Sequence, residues 1–199
     1  SNYRPTMAVQ TSAFRNLISH RKLINDEVMN LFLECFCTQH NLAFLSPTFF
    51  NILQRDGGQR SLRHFASPSR HRHRTIYRPA LQGERAIAIP CFIDDCHWVA
   101  VARVEINGQV YFLYSDDLHN PSTEADVKTT LLSLGIEFYP DSAIWIKCSS
   151  YTYLPHSNEC GPRTLLALHK MALHPSPHPS MLLPMMHPNL AQIGRAWVA

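Results

Sequence analysis

Long apolar runs are missing from this sequence. No stretch approaches the roughly 18 to 20 apolar residues that a membrane-spanning helix needs, and the first residues lack the basic-then-apolar order of a secretory signal. We therefore expect no membrane-spanning segment and no membrane partner. The expected location is intracellular, in the cytoplasm or the nucleus.

Cysteine and net charge are both low. Six cysteines among 199 residues fall well below the density of disulfide-stapled secreted domains, which favours reduced thiols. A formal charge of +3 is too small to indicate a nucleic-acid surface, so nucleic acid is not an expected partner. Paired Cys-x-x-Cys spacing of the structural zinc type is also missing, and no metal or other cofactor is expected. Two sets remain as alternative zinc ligands: Cys91, Cys96 and His97, or Cys35, Cys37 and His40.

The chain length favours one domain over residues 1–199. Residues 1–20 have no clean period and are interpreted as an N-terminal arm, and residues 174–199 as a C-terminal extension that ends in a short helix. A polar loop is predicted from Gln59 to Arg85. Its basic segment, Arg70 to Arg74, fits either a solvated loop or a patch for an acidic partner.

Helix and strand patterns predict an α+β domain with a central, mostly antiparallel sheet flanked by helices. The predicted helices run from Asn25-Asp26 to about His40, from Ser46-Pro47 to Gly57-Gly58, from Thr123 to Leu134 and from Gly161 to Leu173. The first has a predicted apolar stripe of Val28, Leu31, Phe32 and Cys35. The predicted strands are Ala86 to Pro90, Trp98 to Ile106, Gln109 to Tyr114 and Ala143 to Lys147.

A tight hairpin is predicted at Asn107-Gly108, which lies between two alternating apolar strands. A two-residue turn pairs Ile106 with Gln109, and this register places His97 and Asp116 on one face as diagonal neighbours. Diagonal neighbours lie about 7 to 8 Å apart, within reach of an imidazole and a carboxylate. The same parity places Asp117 on the opposite face. A carboxylate that holds a histidine ring makes that histidine a suitable base for a nucleophile.

Cys160 is the best candidate nucleophile. It ends a polar loop and precedes Gly161-Pro162, so it lies at the start of a predicted helix, where the dipole and unpaired N–H groups favour a thiolate. Gly161 is expected to leave room for a substrate backbone. The other five cysteines are interpreted as structural. A lone cysteine before a helix is more often a small core residue, so the hypothesis depends on the three residues together.

At these residues the sequence resembles the ubiquitin-like-protein-specific, SUMO-type cysteine proteases, which are related to the adenovirus endopeptidase. The similar segments are Leu23 to Glu27, His97-Trp98, Tyr114 to Leu118 and Glu159 to Gly161, and the order His, Asp, Cys along the chain is also that of the family. The resemblance implies a papain-like α+β fold, with catalytic Cys160 on a helix and His97 and Asp116 on the sheet. It further implies that Trp98 closes over a substrate tail, although an aromatic core residue is the alternative.

The family pattern has gaps in this sequence. The aromatic residue that often begins the first-helix segment is Leu23 here, and the largest gap concerns the oxyanion. The family has a glutamine about six residues before its cysteine, where it donates to the oxyanion, and this position is Leu154 here. Losing one such donor typically costs about 2.7 to 4 kcal/mol of transition-state stabilisation. The Cys160 N–H with His156 or Asn158 would replace part of it, and Asn158 is the preferred substitute.

The sequence therefore predicts thiol-dependent hydrolysis of peptide or isopeptide bonds, with a ubiquitin-like modifier of the ubiquitin or SUMO type, or a protein that carries one, as the partner. Cleavage of a polyprotein is a close variant. Two other classes remain open. The same triad can transfer an acetyl group from acetyl-CoA to a protein, and the missing glutamine is also compatible with an inactive module that binds a modifier.

Overall fold

A computed structural model describes residues 23–40, 42–57, 86–148 and 159–178 of the chain. Several sequence predictions lie outside these residues and stay predictions. They concern the N-terminal arm, the basic segment Arg70 to Arg74, the residues considered for the oxyanion (Leu154, His156 and Asn158) and the last short helix.

The described residues form four helices and a five-stranded sheet, so the predicted α+β class is confirmed. The helices are α1 (Asp26–His40), α2 (Pro47–Asp56), α3 (Pro121–Leu132) and α4 (Cys160–Leu173). The strands are β1 (Ala43–Phe44), β2 (Ala86–Ile93), β3 (His97–Ile106), β4 (Gln109–Ser115) and β5 (Ile144–Lys147). They lie in chain order across the sheet. The central pairs, β2 with β3 and β3 with β4, are antiparallel. The edge strands are parallel to their neighbours, β1 to β2 and β5 to β4.

The start of α1 and both ends of α2 are decided by local capping, as predicted. The Asn25 side chain accepts a hydrogen bond of 3.0 Å from the Val28 N–H, which satisfies a free donor of the first turn. Ser46 does the same for Phe49 at 3.1 Å. Gly57 ends α2 with φ +83°, a conformation that glycine adopts without strain.

Helix α3 begins earlier than predicted. Its first residue is Pro121, and the Asn120 side chain caps it by accepting from the Ser122 N–H at 3.0 Å. Proline suits the first position of a helix, since its missing N–H would be unpaired there anyway. The predicted range, Thr123 to Leu134, missed this Asn-Pro signal and was displaced by two residues.

The predicted apolar stripe of α1 was wrong. Val28 is buried as expected, but Cys35 is exposed, and the buried face is completed by other residues: Met29, Leu33, Phe36 and Cys37. Apolar residues occupy most of the circumference of this helix, so the sequence pattern fits two neighbouring faces almost equally well. Packing against α4 and β1 decides between them.

The β3–β4 hairpin is confirmed in turn type and register. Asn107 and Gly108 have φ of +51° and +78°, as expected for the two central residues of a type I′ turn. Ile106 pairs with Gln109, and the same register continues to Ala100 opposite Ser115. The open end of this hairpin therefore places the two strand ends side by side.

Strand β2 continues past its predicted end at Pro90 to Ile93. Strand β1, which the sequence patterns missed, pairs only with Ile87 and Ala88, so it stops short of Pro90. Among the described residues, no strand pairs with β2 on this side at Pro90. Proline, which lacks an N–H group, is tolerated where a strand has no hydrogen-bonding neighbour. Beyond Ile93, Asp94 and Asp95 both adopt positive φ and turn the chain directly into β3.

The two faces of the sheet carry separate cores. Helices α1 and α4 cover one face, where Trp98, Ala100 and Ala102 of β3 point. Helices α2 and α3 cover the other, where Val99 and Val101 point. This alternation follows the two-residue period of a strand. In the described parts of the chain, no helix has the length and apolar character required to cross a bilayer.

Candidate active site

His97, Asp116 and Cys160 come together at the open end of the β3–β4 hairpin. His97 begins β3, Asp116 follows the last residue of β4, and Cys160 begins α4. The His97 Nε2 atom lies 2.7 Å from Asp116 Oδ1. The Trp98 N–H donates to Cys160 Sγ at 3.5 Å, which places the sulfur beside the first residues of β3. The structure thus assembles the three residues that the sequence predicted as a triad.

The Asp116 carboxylate is almost completely buried and accepts several hydrogen bonds. Besides His97, its Oδ1 accepts from the Leu118 N–H at 3.0 Å. Its Oδ2 accepts from the Asn120 N–H at 3.1 Å and from the Tyr114 hydroxyl at 3.3 Å. Burial alone would raise the pKa of Asp116, but the hydrogen bond to His97 and those from the backbone outweigh it and lower the pKa. The carboxylate is therefore held ionised and in one orientation.

His97 is the cationic partner of this arrangement. Burial would lower the pKa of His97, but hydrogen bonds with Asp116 and Cys160, together with their charges, raise it to about 9. An imidazole with this pKa is protonated at neutral pH. The site thus favours an imidazolium between a carboxylate and a sulfur, the charge arrangement of an activated thiol.

Cys160 is a half-buried free thiol at the N-terminus of α4. Glu159, the N-cap residue, forms no hydrogen bond from its side chain to the first turn. The amide groups of a first turn carry a partial positive charge that stabilises an anion. The helix terminus and the Trp98 N–H therefore both favour negative charge on Sγ.

Gly161 is required by packing rather than by substrate access. A Cβ atom at this position would lie 2.9 Å from the Ile24 Cβ atom, closer than side chains tolerate. The expectation that Gly161 leaves room for a substrate backbone is corrected by this contact, because the Ile24 side chain fills that space. Glycine instead allows α4 to approach the segment that leads into α1.

Trp98 lies in the core between the sheet and α4. It is 1% exposed, and its ring packs 4.5 Å from that of Phe92. Its indole N–H donates to the Ile24 carbonyl at 2.8 Å, which satisfies its polar group inside the core. The structure thus places Trp98 where the alternative interpretation put it, and a contact with a substrate tail stays a prediction.

Sequence reasoning missed two neighbours of the triad. Tyr114 is 1% exposed and supports Asp116 from the same face, a position that the alternation of β4 could have indicated. Asp117, which parity placed on the other face, lies 3.5 Å from Arg163 Nε of α4. Burial raises the pKa of Asp117 to about 6, although the charge of Arg163 opposes this.

The other cysteines differ in their surroundings. Cys37, Cys91 and Cys148 are buried, and burial raises the pKa of Cys148 to about 12 and that of Cys91 well above its usual value. A structural role suits these three. Cys35 and Cys96 are exposed, so packing does not explain them. Within the described residues, no three His, Cys, Asp or Glu side chains gather closely enough to hold a metal ion.

Solved structures share this fold. The C-terminal Ulp1 protease domain in complex with Smt3, the yeast ortholog of SUMO, is 14% identical with a TM-score of 0.67, over 98% of this chain and 87% of that chain. The ubiquitin-like protein protease XopD of Xanthomonas is 13% identical with a TM-score of 0.52, over 86% of this chain and 98% of that chain. The ASFV pS273R protease is 12% identical with a TM-score of 0.52, over 88% and 67% of the two chains.

No family model matches the chain, and no curated protein matches it in sequence. The structural similarity to Ulp1 and XopD nevertheless confirms, at the level of the fold, the predicted resemblance to the ubiquitin-like-protein-specific cysteine proteases.

Proposed function

We propose that this chain is a cysteine peptidase that cleaves a peptide or isopeptide bond after the C-terminal tail of a ubiquitin-like modifier. The observation that carries the proposal is the assembly of His97, Asp116 and Cys160 at one end of the sheet, with the imidazole 2.7 Å from the carboxylate. These residues are distant in the sequence and meet only in the folded chain. The fold shared with ubiquitin-like protein proteases favours a modifier as the substrate class.

The proposed reaction starts from the imidazolium and the Cys160 thiolate. The thiolate sulfur attacks the carbonyl carbon before the scissile bond and forms a tetrahedral intermediate. His97 donates its proton to the leaving nitrogen as the C–N bond breaks, which leaves a thioester on Cys160. Neutral His97 then accepts a proton from water as the water oxygen attacks the thioester carbon. The C–S bond breaks, which restores the Cys160 thiolate and the His97 imidazolium, and the released carboxylic acid loses its proton to solvent. Asp116 orients the ring and stabilises its charge throughout.

The oxyanion requires donors near Cys160. The N–H of Cys160, at the start of α4, is one donor that the fold supplies. Asn158 is proposed as a second donor in place of the glutamine that the family has six residues before its cysteine. With Leu154 in the glutamine position, a slower chemical step than in the family is expected. The proposed location is the cytoplasm or the nucleus.

A panel of modifiers with a C-terminal electrophile tests the proposal. Ubiquitin, SUMO and other modifiers that end in a propargyl amide are each incubated with the protein. The expected result is a covalent adduct with one modifier, seen as a band shift and located at Cys160 by mass spectrometry. Cys160→Ala should form no adduct, whereas Cys96→Ala, which removes an exposed thiol two residues from Trp98, should react normally.

Other outcomes separate the remaining function classes. Reversible binding of a modifier without an adduct would overturn the peptidase proposal in favour of an inactive binding module. Transfer of a radiolabelled acetyl group from acetyl-CoA to Cys160, again without a modifier adduct, would favour the acetyltransferase.

A further inference from the structure

A second charged pair lies next to the triad and links the same two elements. Arg163 Nε lies 3.5 Å from Asp117 Oδ2, with side chains only 5% and 12% exposed. Asp117 directly follows Asp116, and Arg163 comes three residues, or about one helical turn, after Cys160. The triad and this pair therefore bridge the end of β4 and the first turn of α4 in parallel.

The two aspartates point to opposite faces of the sheet and have different partners. Asp116 bonds to His97, whereas Asp117 points towards α4 and contacts Arg163. The charged groups around Asp117 are Arg163, Asp116, His97 and His119. Because one backbone segment carries both carboxylates, a shift of Asp117 also moves Asp116 and the ring it holds.

A buried pair of this kind contributes little to stability. The free energy lost when two charges are removed from water offsets most of their Coulomb attraction. Replacing both residues by apolar ones is therefore often neutral or stabilising. The raised pKa of Asp117 has burial as its largest cause, in line with a costly ionised form. The Asp117–Arg163 pair lies beside His97, Asp116 and Cys160 and gains little free energy of folding. Its role is better explained by the way it fixes α4 relative to β4.

We propose that Asp117 and Arg163 are positioning residues that hold the first turn of α4 against the end of β4 and so keep Cys160 Sγ beside His97. This inference rests on the function proposed above and specifies how its nucleophile is placed. Asp117 acts through the end of β4 and Arg163 through the first turn of α4, the two elements that their ion pair joins.

The test follows the reactivity of Cys160 without a substrate. In a Cys35→Ser, Cys96→Ser background, which removes the two exposed thiols, the rate of alkylation by iodoacetamide is measured from pH 5 to pH 10. Asp117→Asn and the double variant Asp117→Leu with Arg163→Met are compared with the parent chain. Circular dichroism and thermal melting confirm that each variant is folded at the assay temperature.

The expected result is at least a tenfold slower alkylation at neutral pH in both variants. Half-maximal alkylation should move up by about one pH unit, which is the shift that a tenfold loss of thiolate corresponds to. Asp117→Glu keeps the carboxylate and should recover most of the rate. With a cleavable modifier substrate, kcat should fall by a similar factor while KM changes less than about twofold.

The matched control is Lys147→Met, which removes the ion pair between Lys147 and Glu124, 2.8 Å long and placed between β5 and α3. It should leave both alkylation and kcat unchanged. A folded double variant that alkylates at the parent rate would overturn the proposal. Unfolding of the double variant would also overturn it, because the pair would then be required for the fold itself.

Failure of this inference is distinguishable from failure of the proposed function. If the parent chain cleaves no modifier but Cys160 is alkylated more slowly in the variants than in the parent, the positioning role of Asp117 and Arg163 is retained and the peptidase proposal is rejected. If the parent chain cleaves a modifier and the variants match it in kcat and alkylation, the peptidase stands and the positioning pair falls.

Discussion

The two ends of the β3–β4 hairpin have the same backbone pairing and opposite surroundings. At the turn end, Glu105, Asn107 and Gly108 are exposed, so water satisfies their polar groups. At the open end, the side chains of His97 and Asp116 are only 12% and 1% exposed. One regular ladder thus ends once in solvent and once in a protein interior. The difference shows that burial, rather than strand geometry, gives the open end its chemistry.

Burial acts through the electrostatics of the site. In the interior the effective dielectric constant is low, so charges and hydrogen bonds shift pKa values strongly. The pKa of His97 rises to about 9, and those of the neighbouring carboxyls of Asp116 and Asp117 move in opposite directions because their partners differ.

The largest effect is expected from His97→Gln at the open end. Without the imidazole, no group delivers a proton to the leaving nitrogen, and general acid–base catalysis typically contributes about 10² to 10⁴ in rate. We expect kcat/KM on a cleavable modifier substrate to fall by roughly that factor. Glu105→Gln at the turn end is the control and should stay within about twofold of the parent. A His97→Gln variant that keeps more than a tenth of the activity would contradict the triad.

Gly161→Ala should destabilise the protein at the same end. The new methyl group would lie 2.9 Å from the Ile24 Cβ atom, and overpacking of this kind costs about 1 to 3 kcal/mol. The free energy of unfolding, measured by urea titration, should fall by that amount, and Cys160 alkylation should slow because the first turn of α4 is displaced. Unchanged stability would show that Ile24 moves aside freely.

The pH dependence of stability isolates the pair of His97 and Asp116. Its measurement uses a Cys160→Ala background, so that no thiol titrates there. Asp116 keeps the native pKa of His97 above its unfolded value of about 6.5. The stabilisation is therefore complete below about pH 6.5 and is lost as the pH rises through the native pKa.

Between pH 7 and pH 10 we expect a loss on the order of 1 to 2 kcal/mol in this background. Replacing His97 by Gln as well should flatten this part of the curve. An equal loss of stability in both proteins would assign the pH dependence to other groups.

The smallest effect is expected from Gly108→Ala at the turn end. Gly108 has φ +78°, and among the described residues no atom beyond its two chain neighbours lies within 4 Å of the position that a Cβ would occupy. The cost is therefore backbone strain of about 1 kcal/mol. Activity should not change. A loss of activity in the folded variant would indicate that the two ends are coupled along the strands.

Much of the local structure could be predicted because its causes are local. Ser46, Pro47 and Gly57 delimit α2 through capping and backbone preference. Asn107-Gly108 specifies both a turn and a register, and the register brings residues 19 positions apart, His97 and Asp116, into contact. A short chain of geometric steps therefore leads from a dipeptide to two members of the candidate site.

The errors occurred where neighbours in space decide. The buried face of α1 was misassigned because apolar residues surround this helix and only its contacts with α4 and β1 select a face. Gly161 was expected to leave room for a substrate backbone, but the side chain of Ile24, which no local pattern connects to it, occupies that space.

By itself, the sequence determined where α1 and α2 begin, how the hairpin turns, and that an imidazole and a carboxylate share one face. Those properties depend on capping groups, turn residues and side-chain alternation, all of which act within a few positions. The tertiary structure alone decided that Cys160 Sγ lies beside the Trp98 N–H, 62 positions away, and that Asp117 meets Arg163. Contacts between distant segments depend on how whole elements pack, and packing is a property of the complete core.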